Sequence, residues 1–320
     1  MKFPLFNYHG CGNNEYDRIY RTVPTLFIVY NISLNPLSTS LAWISTSRPF
    51  SPSSGTMSLH FSHRSTNNLT IGRHHAPDLV SFVKANTRRR GAEMDSRQRR
   101  TFEKYQEEEI YSTSNRGRYP DGDRIKAYFE FFDIMFFGGA LTSVTSAKIF
   151  PKPENYDEEP FAISETYVYE DEEQGCHIPI SSIIKVFLLD EDYFETKAER
   201  CLHYVGHLLR EMCNTFLQLY SCIFSDCRHK IENLGLTGYG FAWQDMALAV
   251  ELACRDREFL RLDIKLDRRR SLAKELIAYD VAPPKSLLGK WGFMESTLFY
   301  DEEEIERMDT GLRTRVMYND

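Results

Sequence analysis

His203 and His207 stand four residues apart, a spacing that returns both side chains to one face of a helix. Such a pair is the smallest unit of a helical zinc site, but it needs a third protein ligand. Hydrolysis also needs a carboxylate beside the first histidine as general base. Tyr204 fills that adjoining position. His203, His207, Arg210 and Asn214 fall within about 60° of one face at 100° per residue. Two readings follow, a metal site on His203 and His207 or two packed or surface histidines. Cys222, Cys227 and His229 form C-x4-C-x-H, with Cys213 upstream. That pattern allows a small structural zinc site, a Cys222–Cys227 redox pair, or plain buried and loop thiols. Arg88-Arg89-Arg90 and Arg97, Arg99, Arg100 suit a nucleic-acid contact or a nuclear-import signal, or else a solvated arm without a partner. No G-x-S-x-G, P-loop or G-x-G-x-x-G occurs, and Gly238-Tyr239-Gly240 is too short for a dinucleotide turn.

The elements that must position these residues begin near Asp123. Ile125, Phe129, Phe132 and Phe136 recur at helical spacing until Gly138-Gly139 stops the pattern. Val144–Phe150, Phe161–Tyr169 and His177–Ile184 are expected strands, with an acidic turn at Glu170–Glu173 between the last two. Lys197–Tyr220 is expected as a long helix striped by Leu208, Leu209, Met212, Phe216 and Leu219. The glycine-bearing loop Ser221–Gly240 leads to a further helix with Trp243, Met246, Ala247, Val250 and Cys254 on one face. The succession of helix, small sheet, long helix, loop and helix is an α+β domain over residues 121–285. A C-terminal acidic tail, 286–320, carries the anchors Trp291, Phe293 and Phe299 and a short helix around Glu302–Met308.

Residues 1–120 are rich in Ser, Thr, Asn and Arg without a sustained period, so a disordered basic arm is expected there. Its net charge is +7, against −14 for the remaining 200 residues of this 320-residue chain. An acidic body alone is a poor holder of DNA, so any such contact falls to the arm. No apolar run reaches the ~18 residues of a membrane span, and seven scattered cysteines suggest a reducing interior rather than a disulfide scaffold.

Four ordered stretches carry a family resemblance: F-E-F-F-D-I-M-F-F-G-G-A-L (Phe129–Leu141), L-L-R-E-M-C-N-T-F (Leu208–Phe216), Y-S-C (Tyr220–Cys222) and G-L-T-G-Y-G-F-A-W-Q-D-M-A-L-A-V-E (Gly235–Glu251). Together they resemble the SprT-like domains of Spartan-type zinc metallopeptidases, especially their fungal branch. The resemblance implies a zincin-type fold, zinc on H-E-x-x-H plus a third histidine in a G-H-G turn, and proteolysis of DNA–protein crosslinks. At the matching positions this chain has Arg210, Asn214 and Tyr239 in place of the three histidines. Only Glu211, the position of the general base, is kept. Each replacement is one base change from a histidine codon, while the flanking packing residues match. A guanidinium stays protonated and cannot ligate zinc, and an amide is a poor ligand. Without metal no water is acidified for Glu211 to deprotonate.

The expectation is therefore a catalytically inactive metallopeptidase homologue with no cofactor. It would act as an interaction module, binding a protein partner through the former active-site groove and chromatin or DNA through its basic arm, inside the cell and in the nucleus. Within the emptied site, Arg210 is expected to neutralise Glu211 or a neighbouring acid, and Tyr239 to hydrogen-bond to Asn214. Three alternatives stand beside it. One is an active zinc peptidase using His203 and His207. The second is a helix unrelated to that family, and the third a decaying gene product.

Overall fold

The computed structural model describes residues 21–24, 69–113, 119–152, 161–171, 176–222, 233–279 and 283–293. Within them, helices α1 (Ala76–Arg88), α2 (Ser96–Glu107) and α3 (Asp121–Phe136) precede a mixed sheet. The sheet contains β2 (Thr145–Pro151), β3 (Ala162–Asp171) and β4 (Cys176–Leu188). A four-residue strand, β1 (Arg21–Pro24), joins its edge, and the strand order is β1-β3-β4-β2. β3 and β4 pair antiparallel, and β2 runs parallel to β4. Then come α4 (Lys197–Tyr220), α5 (Phe241–Arg255), α6 (Arg268–Tyr279) and α7 (Lys285–Lys290). The α+β class holds. No helix among the described residues is long and apolar enough to cross a membrane.

The long helix α4 is the spine. Thr196 caps its start by accepting from the Glu199 amide at 3.0 Å. Its apolar side buries Leu208, Leu209, Met212, Phe216 and Leu219 with the aromatic face of α3, where Phe131, Phe132 and Phe136 are fully buried. One face of the sheet lies on α4. Along β3, Ala162, Ser164, Thr166 and Val168 alternate inward, and two of those four carry hydroxyls. At the end of α3, Gly138 and Gly139 take left-handed φ values of 66° and 83°. Asp133 accepts from the amides of Leu141 and Thr142 at 2.9 and 2.8 Å and closes the turn.

The expected boundary at residue 120 is corrected. Residues 69–113 belong to the folded body. Leu79, Val80 and Val83 of α1 enter the main core, and α1 packs along α5. Two amides fasten α1 and α2 to the last turn of α3. Asn86 donates to the Phe136 carbonyl at 3.0 Å and Gln98 to the Met135 carbonyl at 3.1 Å, satisfying acceptors that a helix end leaves open. α2 begins with a capping box of Asp95 and Gln98. α2, with few apolar residues, is held by tertiary contacts rather than by its own periodicity, whereas α1 carries Leu79, Val80 and Val83 on one face, a local signal that was available in the sequence. At the start of the tail, two of the expected anchors, Trp291 and Phe293, do pack against the body. Trp291 is buried with Leu272 and Leu288, and its indole donates to Asp245 at 2.7 Å. The low-complexity stretches Ser51–Gly55 and Ser65–Asn68 and the helix expected at Glu302–Met308 lie outside the described residues, as do Phe299 and part of the acidic turn after Glu170.

Leu79→Ala should cost about 2–5 kcal/mol in urea unfolding of the full chain, as a core truncation does. A value under ~0.5 kcal/mol, typical of surface changes, would mean that α1 is not part of the cooperative unit.

Candidate functional site

A polar stripe runs down the sheet-facing side of α4: His203, His207, Glu211, Asn214 and Gln218, three or four residues apart. Opposite it stand the two inward hydroxyls of β3. Ser164 donates to Glu211 Oε2 at 3.0 Å, and Thr166 donates to Gln218 Oε1 at 3.0 Å. Gln218 in turn donates to Asn214 Oδ1 at 3.2 Å. The third side of the site is the loop Gly235–Gly240, whose Tyr239 hydroxyl donates to Glu211 Oε1 at 3.0 Å. Arg210 lies beside the same oxygen at 3.9 Å, with its guanidinium 4.7 Å from the centre of the Tyr239 ring. Trp243 meets that ring edge-on at 4.9 Å and donates its indole N–H to the Arg210 carbonyl at 3.4 Å.

The loop is held from behind. Glu275 of α6 accepts from the Leu236 amide and from both the amide and hydroxyl of Thr237, the Thr237 amide at 3.0 Å. Gly238 has φ 83°, and a Cβ there would come 2.7 Å from Asn214 Oδ1. This glycine lets the loop lie against α4 and brings Tyr239 within reach of Glu211.

Arg210, Glu211 and Asn214 are buried, with Glu211 only 2% exposed. Burial pushes the Glu211 carboxyl above its ordinary range. The Arg210 charge, the Tyr239 and Ser164 hydroxyls and the nearby Asn214 amide pull it back. Burial also pushes Tyr239 up, so its phenol stays protonated and remains a donor.

The structure thus brings together Arg210, Glu211, Asn214 and Tyr239, residues far apart along the chain. One expected contact is corrected: Tyr239 bonds to Glu211, not to Asn214, because a carboxylate outcompetes an amide oxygen for a phenolic donor. Asn214 is engaged by Gln218 instead. Ser164, Thr166, Gln218 and Glu275 went unnoticed in the sequence. The alternation A-x-S-x-T-x-V over Ala162–Val168 was the available signal, since it places both hydroxyls inward with the alanine and valine.

The groups around Glu211 are a guanidinium, an amide, a phenol and a hydroxyl, and this set does not fit zinc. Among the described residues there is no group of three or more His, Cys, Asp or Glu placed to hold a metal. His203 and His207 do meet, ring centres 4.5 Å apart, one helical turn from Arg210. Their surroundings are aromatic: Phe161 contacts both rings, at 4.8 and 5.0 Å, and Phe194 lies 5.1 Å from His203. Burial depresses His203 to about 4, Glu199 opposing it slightly. Burial also holds His207 well below the ordinary value, helped by His203, Arg210, Lys274 and Arg270. Cys213 is buried and Cys222 half-buried at the end of α4. Cys227 and His229 lie outside the described residues.

The basic residues are not on a detached arm. Arg90 pairs with Asp256 at 2.8 Å and lies 3.8 Å over the Phe259 ring. Arg89 reaches Asp95 and Gln98. Arg97 lies against Gly139, Arg99 bonds to the Met94 carbonyl and Arg100 to the Ser96 carbonyl. Arg88 is exposed in the last turn of α1. Comparison with family models, curated proteins and solved structures returned no match to the chain.

Tyr239→Phe removes one donor from a buried carboxylate and should lower stability by about 1–3 kcal/mol. Unchanged urea unfolding would show that the Glu211 contact is not formed. The histidines give a pH signature. A group whose proton is resisted in the fold binds it more readily in the unfolded chain. The stability they contribute is complete above about pH 6.5 and falls as pH drops toward 4. The pair substitution His203→Phe, His207→Leu should flatten the difference in urea midpoint between pH 7 and pH 5. Glu211, raised rather than lowered, works in the opposite sense but is common to both proteins. An undiminished difference in the variant would mean that the histidines carry their charge in the folded state.

Proposed function

We propose that this chain is a SprT-like, zincin-type domain that has lost zinc and peptidase chemistry and serves as an intracellular interaction module. The observation that carries the proposal is the self-contained polar cluster around Glu211. At the positions matching the three family ligands stand Tyr239, which donates to the carboxylate, Arg210, whose charge lies 3.9 Å from it, and Asn214, which is tied to Gln218. A buried carboxylate with hydroxyl donors and a guanidinium beside it is stable without a cation, and the guanidinium's charge opposes a cation's entry. Glu211 has no water of lowered pKa to act on, so its role here is structural.

With Arg210, Glu211 and Asn214 buried, a protein partner at this former groove would meet the half-buried rim, Tyr239, His207 and Phe161. Nucleic-acid or chromatin contact belongs to the arginines of residues 88–100, and a nuclear setting follows from that partner. An active peptidase has one observation in its favour, the meeting of His203 and His207. Against it are the aromatic packing of both rings and a tyrosine, Tyr204, where the base would stand.

Metal analysis of the purified full chain tests the proposal, with Arg210→His, Asn214→His, Tyr239→His combined in a second protein. The expected result is a folded, metal-free natural protein and about one zinc per chain in the triple variant. Stoichiometric zinc in the natural protein would overturn it and direct mutagenesis to His203, His207 and Cys222.

A further inference from the structure

Asp245 of α5 accepts from three donors at once. Lys84 of α1 lies 3.0 Å from its Oδ2, Lys290 at the end of α7 lies 2.6 Å from the same oxygen, and the Trp291 indole donates to Oδ1. Beneath these bonds, Trp291 and Leu288 are buried with Leu272 of α6 in an apolar cluster separate from the main core. Phe241, Leu248, Leu276 and Phe293 close around it. Arg268 holds the same segment, donating to the Trp291 carbonyl at 3.1 Å, lying 5.0 Å from the Phe293 ring and pairing with Glu251 at 2.7 Å. With six residues, α7 is too short to persist as a helix away from this seat. The segment Lys285–Phe293 is therefore ordered only when docked, and its small separate cluster can open while the main core stays shut.

The surfaces it docks against are those that hold the loop over Glu211. Trp291 meets Phe241 at 5.5 Å, two residues beyond Tyr239. Leu272 and Leu276 flank Glu275 on α6, and Glu275 accepts from the amides of Leu236 and Thr237. Gln244 joins the two regions, donating to the Arg268 carbonyl at 3.2 Å and to the Tyr239 carbonyl at 3.4 Å. We infer that Lys285–Phe293 is a detachable clasp whose docking sets how firmly the Gly235–Gly240 loop is held against Glu211. With the clasp shut, α6 is fixed on α5 and Glu275 keeps the loop in place. With it open, α6 loses Leu288 and Trp291 as neighbours, and Tyr239 parts from Glu211 more readily. Whatever displaces Tyr239 at the proposed partner rim and whatever lifts the clasp then act on one equilibrium, so each favours the other. That last consequence rests on the rim reading above. The coupling of clasp to loop rests on packing alone and does not depend on the loss of zinc.

Hydrogen–deuterium exchange of the full chain, read by mass spectrometry, tests the coupling in two variants. Trp291→Ala empties the apolar cluster. Lys290→Glu, at a side chain 46% exposed, sets a like charge against Asp245 without touching the core, so the fold is kept. Peptides covering Leu236 and Thr237 should exchange roughly ten-fold faster together with those covering 285–293, while peptides of α3 keep their natural rate. Where Trp291→Ala accelerates α3 as well, Lys290→Glu decides. Faster exchange in 285–293 with the loop unchanged overturns the inference, because the segment is then a passive tail. Equal acceleration of α3 by Lys290→Glu also overturns it, since the segment would open only with the whole fold. So does unchanged exchange in both variants, which would show that these contacts do not hold the segment. None of these results alters the metal analysis, so the proposed function stands or falls separately.

Discussion

An ionisable carboxylate in a protein interior sets conditions on everything near it, and Glu211 is the group on which this fold turns. Taking it out of water is costly unless its oxygens are met. Ser164 comes from β3, Tyr239 from the loop before α5, and Arg210 from the same turn of α4. Each supplier needs its own support. Ser164 faces inward because β3 alternates. Tyr239 arrives because Gly238 admits the loop against Asn214 and because Glu275 on α6 holds Leu236 and Thr237. A single buried acid therefore ties together sheet, spine helix, loop and a helix near the C-terminal end of the described chain.

The parts legible in the sequence are those whose signal is local. The α4 stripe read out at its full length, and the α3 aromatic run ended where the two glycines take left-handed backbone. The three strands, β2 to β4, lay within a few residues of expectation, β4 running four residues further. Arg210, Glu211, Asn214 and Tyr239 lie together, although Tyr239 bonds to Glu211 rather than to the expected Asn214. What escaped was assembled at a distance. α2 is short and polar and α1 is short, though its Leu79, Val80 and Val83 face was readable, and their fastenings, Asn86 and Gln98, are amides indistinguishable in sequence from surface residues. The capping box at Asp95 was a usable local sign of α2. Glu275 and the hydroxyls of β3 have meaning only once the loop and the sheet are placed.

Charge distribution shows the same division between local and assembled properties. Counting along the chain separates a basic front from an acidic remainder. In the fold, Arg90 of the front pairs with Asp256 just after α5, and Arg255 pairs with Asp263 beyond it. Charge is answered by neighbours in space, so a basic front counted along the chain is in part neutralised where it folds against the acidic remainder.

The two hydroxyls of β3 have one more effect. A helix resting on an entirely aliphatic sheet can shift by a turn with modest penalty, because one methyl group substitutes for another. Here Ser164 and Thr166 act as pegs for Glu211 and Gln218, and a one-turn slide of α4 would set His207 or Asn214 opposite Ser164 and part the buried carboxylate from its hydroxyl donor. The polar stripe thus works as a key that admits the helix in a single seat, trading some gross burial energy for uniqueness of alignment.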